Sequence, residues 1–231
     1  MIDAITQKRP RQFQHYKDIT LLKNKRFHII ILLLTAFITQ QDSAQAAVPW
    51  ALKKNEDGIK VHTRLLAEGG AVEFKATTNL QMPAEHIMAI LTHTKQLPHW
   101  QAHLQKSKVL SRESALHWHE YSVLNVPWPL EGRDLVLSKK IVKGDGVSNS
   151  LFLYMRSVPA KYPQQNNLIR INQARGFWEL APQDNGGIRV TYQFHIDPEL
   201  QLPTWLLNMF AVEGPYRALK HLREQDAQAR L

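Results

Sequence analysis

The chain has 231 residues, 44% of them hydrophobic, a formal net charge of +9 and no cysteine. That length allows one domain or two small ones, and the lack of cysteine excludes disulfides, zinc thiolates and thiol nucleophiles. Residues 1–46 carry 7 Lys/Arg against 3 Asp/Glu and the rest 22 against 17, a scattered balance that argues against a nucleic-acid stripe.

The N-terminal residues read as a targeting segment. Lys23, Lys25 and Arg26 precede an apolar run, 27–38, broken only by His28 and Thr35, and a polar stretch leads to Ala44-Gln45-Ala46. Basic, apolar, then small residues is the order of a secretory signal, with a cut expected after Ala46. Twelve apolar residues reach about 18 Å as a helix, short of a bilayer. The expected domains are therefore a 1–46 extension with signal and a 47–231 body. An exported, periplasmic protein is expected, the alternative being an anchor that stays uncleaved.

The body reads as one α+β domain. A short helical turn is expected over Trp50–Lys54, then a turn at Asn55-Glu56-Asp57-Gly58 and strands Ile59–Leu65 and Val72–Leu80 around Gly69-Gly70. Pro83 opens a helix with Ile87, Ile90 and Leu91 at helical spacing. His99-Trp100 leads to a strand near Lys106–Ser111. Further strands follow at Leu116–Asn125, Arg133–Val142, Leu151–Val158, Leu168–Leu180 and Ile188–Ile196, separated by turn-forming segments at 143–146, 159–167 and 184–187. Consecutive strands with short turns predict an antiparallel meander.

The corner between the Leu116 and Arg133 strands is the most informative stretch. Pro127 and Pro129 lack N–H donors, so VPWPLEG is a turn, bulge or edge. Alternation puts Trp118, Glu120 and Leu124 on one face and His117, His119 and Tyr121 on the other. On the next strand it groups Arg133, Leu135, Leu137, Lys139 and Ile141. Glu120 and Lys139 are then charges on apolar faces, which must pair or meet water in a cavity. Arg133 and Asp134 are read as a structural pair holding the corner. His117 and His119 share a face, yet no third ligand has a spacing that completes a metal site, so none is expected.

The final element is a helix from Pro203 to Gln225. Trp205, Met209, Val212, Tyr216, Leu219 and Leu222 step by three or four and form one face, widened by Leu206 and Phe210. Gly214-Pro215 should bend or break it. The face is expected to cross the concave side of the sheet and to leave a pocket between the two.

The run PWPLEGRD, with Trp100 before it, GFWEL after it and a terminal IDPELQLPTWLLNMFAVEGPYRALKHLRE, resembles the StAR-related lipid transfer (START) domain, in particular its bacterial single-domain members. The resemblance covers nearly all of 50–225. It implies a helix-grip fold, a curved antiparallel sheet around a long C-terminal helix enclosing a lipid-sized tunnel. It also implies an acidic residue thirteen positions before the corner arginine and a basic one six after it, both facing the cavity, and here those are Glu120 and Lys139. Lysine in place of the family's arginine is a departure that removes bidentate geometry. Glu199-Leu200, where many bacterial members have Gly-Gly, is another.

The expected function is lipid binding and transfer with no cofactor, a hydrophobic small-molecule partner, transient membrane contact and a monomeric state. Glu120, Lys139, Trp118, Leu124, Leu135, Leu137, Trp205, Met209, Phe210 and Tyr216 are the candidate ligand contacts. Two alternatives stay open. One is an enzyme of the helix-grip superfamily using Glu120, His117, His119 or Tyr154, and the other is an interaction module with a filled pocket.

Overall fold

The computed structural model describes residues 48–66, 71–145, 149–197 and 203–230. The signal-like segment, the Gly69-Gly70 turn and Glu199-Leu200 lie outside them. Among the described residues no helix is long and apolar enough to cross a membrane.

Among the described residues ten strands form one sheet. β1 (Ala51–Glu56), β2 (Ile59–Leu66) and β3 (Ala71–Leu80) open the chain, and α1 (Ala84–Thr92) and the short α2 (Leu97–Trp100) follow. β4 (Leu104–Ser114), β5 (His117–Leu124), β6 (Gly132–Lys143) and β7 (Leu151–Ser157) come next. The last strands are β8 (Leu168–Arg170), β9 (Gln173–Pro182) and β10 (Ile188–Asp197). The spatial order is β1-β2-β3-β10-β9-β7-β6-β5-β4, so β3 pairs with β10 across most of the chain. The curved sheet wraps a long C-terminal helix, as the helix-grip expectation required.

Three expectations need correction. The predicted helical turn at Trp50–Lys54 falls on β1, because Asp57 and Gly58, both at positive φ, make a two-residue hairpin that pairs β1 with β2. Pairing overrides the helical leaning of Ala-Leu-Lys-Lys. The predicted strand Leu168–Leu180 is two: β8 runs parallel to β6 at Gly132–Asp134, and β9 then pairs antiparallel with β7 and β10. Gly176 permits that close β9–β10 approach, since a Cβ there would collide with the Gln193 carbonyl and the Phe194 ring.

The third concerns the last helix, which is not broken. Helical structure runs through α3 (Thr204–Asn208), a π-helical stretch at Met209–Glu213 and α4 (Gly214–Gln228). Pro215 has no N–H for the carbonyl four residues back and its ring crowds that oxygen. The chain widens by a π turn instead, and Gly214 N–H donates to Met209 O.

Burial follows from alternation against this helix. Ile59, Val61, Phe74, Ala76 and Leu80 of the first strands meet Val212, Leu219 and Leu222 in one core, closed at its rim by Ile87, Met88 and Leu91 of α1. A smaller cluster of Tyr121, Val123 and Val136 lies elsewhere in the sheet with Tyr162 and Leu168 packed against it.

Polar contacts fasten α4. The buried Asp226 carboxylate accepts Gln81 N–H at 2.9 Å and Met82 N–H at 2.6 Å. Arg223 donates to Thr78 Oγ1 and Asn79 O, and Asp57 accepts from Tyr216 and Lys220 at 2.7 and 3.0 Å. For α3 and the π stretch the corresponding side-chain contact is Lys54 to Glu213 at 3.0 Å, partly exposed. Asp226→Ala strips one buried and one part-buried N–H group of a charged acceptor and should cost about 2–4 kcal/mol. Gln228→Ala, on the exposed end of the same helix, should stay within about 0.5 kcal/mol. Urea denaturation of both variants checks this.

Candidate functional site

The gap between helix and sheet is a cavity in which the centre of a water molecule has about 110 Å³ to move. Its walls are largely apolar, with Phe74, Trp178, Tyr192 and Phe194 supplying aromatic faces and Leu124, Leu135 and Leu137 aliphatic ones. Trp178 and Tyr192 stack at 3.9 Å and Phe74 meets Tyr192 edge-on at 4.8 Å. A smaller cavity adjoins it, lined by Val72, Arg133, Ile171, Leu207 and Ala211. Phe74, Leu124, Ile196 and Phe210 line both, so these four side chains partition the space.

Glu120 and Lys139 line the larger cavity and are 1% and 4% exposed. Lys139 Nζ donates to Glu120 Oε1 at 2.6 Å. Glu120 Oε2 accepts Thr94 Oγ1 at 2.7 Å and, more distantly, Trp118 Nε1 at 3.5 Å. The carboxylate is therefore well supplied. The ammonium is not: it has three donors, and among the described residues its hydrogen bond is the one to Glu120. Thr94 and Phe74 carried no signal in the sequence, because nothing local marks them as reaching this point.

The other candidates separate. Leu124, Leu135, Leu137 and Phe210 line the cavity. Trp118 is buried in the core beneath it and acts on Glu120 through its N–H. Tyr216 turns to Asp57 at the β1–β2 hairpin. Met209 is half-buried and outside the lining, and Trp205 is 49% exposed. The helix face holds from Val212 to Leu222, and the π turn rotates the residues before Gly214 relative to those after it, which leaves Trp205 outside.

Arg133 and Asp134 are not partners. They point to opposite faces of β6, as neighbours in a strand must. Asp134 instead takes Arg170 in a two-pronged pair, Nε to Oδ1 at 2.6 Å and Nη2 to Oδ2 at 2.9 Å. Arg170 also donates to the carbonyls of Pro159, Tyr162 and Pro163, pinning the 159–163 segment and β8 to β6. Burial, then the charge and hydrogen bond of Asp134, pushes the Tyr121 phenol up to about 12. Arg133 donates to Glu131 O and lies against the smaller cavity.

The catalytic alternatives are not assembled. Glu120 faces the cavity, whereas His117 and Tyr154 line an open hollow with Arg156 and Phe177, and His119 shares the His117 face of β5.

This arrangement of curved sheet, gripped helix and intervening apolar cavity is matched in known proteins. A family model described as the START domain matches residues 38–228. The chain belongs to the START domain family. This START protein is 32% identical over 178 residues to an uncharacterized protein of Pseudomonas aeruginosa, covering 77% of this chain and 86% of that one. To the phosphatidylcholine transfer protein of Mus musculus it is 24% identical over 188 residues, covering 79% and 86%. The crystal structure of a StAR-related lipid transfer protein from Xanthomonas axonopodis has a TM-score of 0.68 at 29% identity, covering 77% of this chain and 98% of that one. Human StAR-related lipid transfer protein 5 has a TM-score of 0.66 at 12% identity, covering 92% and 99%, a likeness of fold alone. The named START relatives are lipid transfer proteins.

One further residue of the START cavity escaped sequence reading. His103, at positive φ before β4, lines the cavity and sets its ring against Phe210 at 5.2 Å. Burial, aided by Arg217, holds it below the usual imidazole value. His62 and His221 are lowered likewise, burial being the largest cause in each. The unfolded chain binds these protons more readily than the folded one, so stability is complete above the unfolded value of about 6.5 and is lost as pH falls through the folded values. The urea midpoint should therefore decline on acidification from about pH 7 to pH 5. His103→Asn, which tolerates positive φ, should make that decline shallower.

Proposed function

We propose that this START protein is a lipid carrier that encloses one lipid between sheet and helix, with Lys139 and Glu120 orienting its polar part. The observation that carries this reading is the Lys139 ammonium, buried on the wall of an apolar cavity with one acceptor among the described residues. A phosphate, ester or hydroxyl oxygen brought in by a ligand would complete its hydrogen bonding, directly or through water. The chain of the lipid would lie against Phe74, Leu135, Leu137, Trp178 and Phe194, each 25 Å² of apolar surface kept from water contributing about 0.6 kcal/mol.

Entry would use the segment of the final helix that is least tied down. Residues 203–213 include the π stretch and carry Phe210, one of the four side chains that partition the space, while α4 beyond Gly214 is held by Asp226, Arg223 and Tyr216. A swing of that segment would join the two cavities into one lipid-sized space. We further propose that residues 1–46 are removed on export and that the mature carrier works as a monomer in the periplasm, touching membranes only during exchange. The basic, apolar and small-residue order of 23–46 supports that placement.

The test is native mass spectrometry of the protein purified from its own source without detergent, followed by lipid extraction. A single lipid at near one-to-one ratio is expected, and phosphatidylcholine vesicles are the first donor to try on emptied protein. Removing one member of the buried pair would strand the other at a cost of about 3–5 kcal/mol, so the informative variant is Glu120→Gln with Lys139→Met. It should stay folded and lose lipid occupancy about tenfold or more. Unchanged occupancy, or conversion of the bound lipid to a product, would sink the reading.

A further inference from the structure

We infer that Glu113, His117 and His119 form a binding site for a transition-metal dication of the Zn²⁺ class on the opposite side of β5 from the lipid cavity. The two histidines are two apart on β5, so alternation puts both rings on one face, with centroids 5.7 Å apart. The third donor comes from the strand before the turn. The β4–β5 ladder pairs Arg112 with Trp118 and Ser114 with His117, so Glu113 is the extra residue of a bulge. A bulge re-aims its side chain, and here the carboxylate comes to the imidazoles. Glu113 Oε2 lies 2.8 Å from His117 Nδ1 and Oε1 lies 3.6 Å from His119 Nε2. One donor atom from each residue lies within 4.8 Å of the other two. That spacing needs only a small contraction to place three donors about 2.0–2.2 Å from one ion.

What separates this cluster from a surface ion pair is the treatment of the other ring nitrogens. His119 Nδ1 is hydrogen-bonded to Ser111 Oγ at 3.0 Å, and His117 Nε2 to Ser138 Oγ at 2.9 Å. With those nitrogens donating to serine hydroxyls, His117 Nδ1 and His119 Nε2 face the same point, and an ion there would displace the proton by which His117 Nδ1 meets Glu113 at 2.8 Å. The serine contacts are the support that metal-bound histidines receive. His119 is buried, His117 half-buried and Glu113 exposed, so the ion would seat against β5 and be reached from solvent. Lys140, opposite His117 on β6, is exposed, and water screens its charge.

The donor set selects the metal. Two imidazoles and a carboxylate suit Zn²⁺ and its neighbours, whereas Ca²⁺ and Mg²⁺ take oxygen donors. Three protein ligands leave a fourth position open for water or an incoming oxygen. A bound ion would also cross-link β4 to β5 and raise the stability of the folded chain. Nothing in this depends on the lipid reading, since Glu120 faces the other way.

Titration of the full chain with Co²⁺ followed by its visible absorption, then displacement by Zn²⁺, tests the inference. Expected are one-to-one saturation with an intense tetrahedral band, displacement by Zn²⁺, and a rise in melting temperature with Zn²⁺. Glu113→Gln at an exposed position and His117→Ala at a half-buried one should each weaken binding about tenfold or more, while His99→Ala, an exposed histidine elsewhere, should not. Lack of saturable binding, or binding that survives His117→Ala, overturns the site. So does an equal loss in His99→Ala, which would mean adventitious surface binding.

Discussion

A single helix cannot cover the concave face of a ten-stranded sheet. The sheet twists and curls because each strand twists, and the curl leaves a trough wider than the roughly 10 Å of a helix with its side chains. Close packing is achieved where α4 meets β2 and β3, with Leu219 and Leu222 fully buried. Toward β5, β6 and β7 the helix stands off. The cavity is therefore a geometric remainder, and its chemistry is set by whichever side chains alternation turns inward.

Most of those inward side chains are apolar, which makes the two charges informative. A buried ion pair offers little net stability over an apolar pair of similar volume. Glu120 is held by Thr94 and Trp118 as well as Lys139, so the carboxylate is fixed and the ammonium is fixed by it. The result is a positive group of defined position in an oily wall. The Asp134–Arg170 pair, by contrast, has its hydrogen bonds filled by three backbone carbonyls, and its work is to hold a segment in place.

What was legible in the chain was whatever depends on period and local chemistry. The strands, the Asp57-Gly58 turn, the placement of Glu120 and Lys139 on one inner surface and the long apolar helix all follow from spacing. The family likeness pointed to the same two charges. What was not legible depends on partners far away in sequence. Asp134 reads as the neighbour of Arg133, but a strand sends neighbours to opposite faces, and its true partner is Arg170. β1 reads as helical until β2 is there to pair with it. Tyr216 keeps its place on the buried helix face, but its hydroxyl goes to Asp57, a partner 159 residues away, and Trp205 at the start of the helix is exposed. Glu113 reaches the histidines through a bulge, which no regular spacing marks.

The pairing of β3 with β10 has a consequence for how the chain reaches this state. Leu80 lies opposite Ile188, so that ladder closes a loop containing α1, α2 and every strand from β4 to β9. The β1–β3 and β4–β7 sets can form from near neighbours, but the seam joining them waits for nearly the last strand to be present. High contact order of this kind slows folding. Until the seam closes, two half-sheets exist with open edges, and the helix that would shield their apolar faces lies further still toward the C-terminus. Selection on such a protein acts on the lifetime of those half-built sheets as well as on the finished cavity.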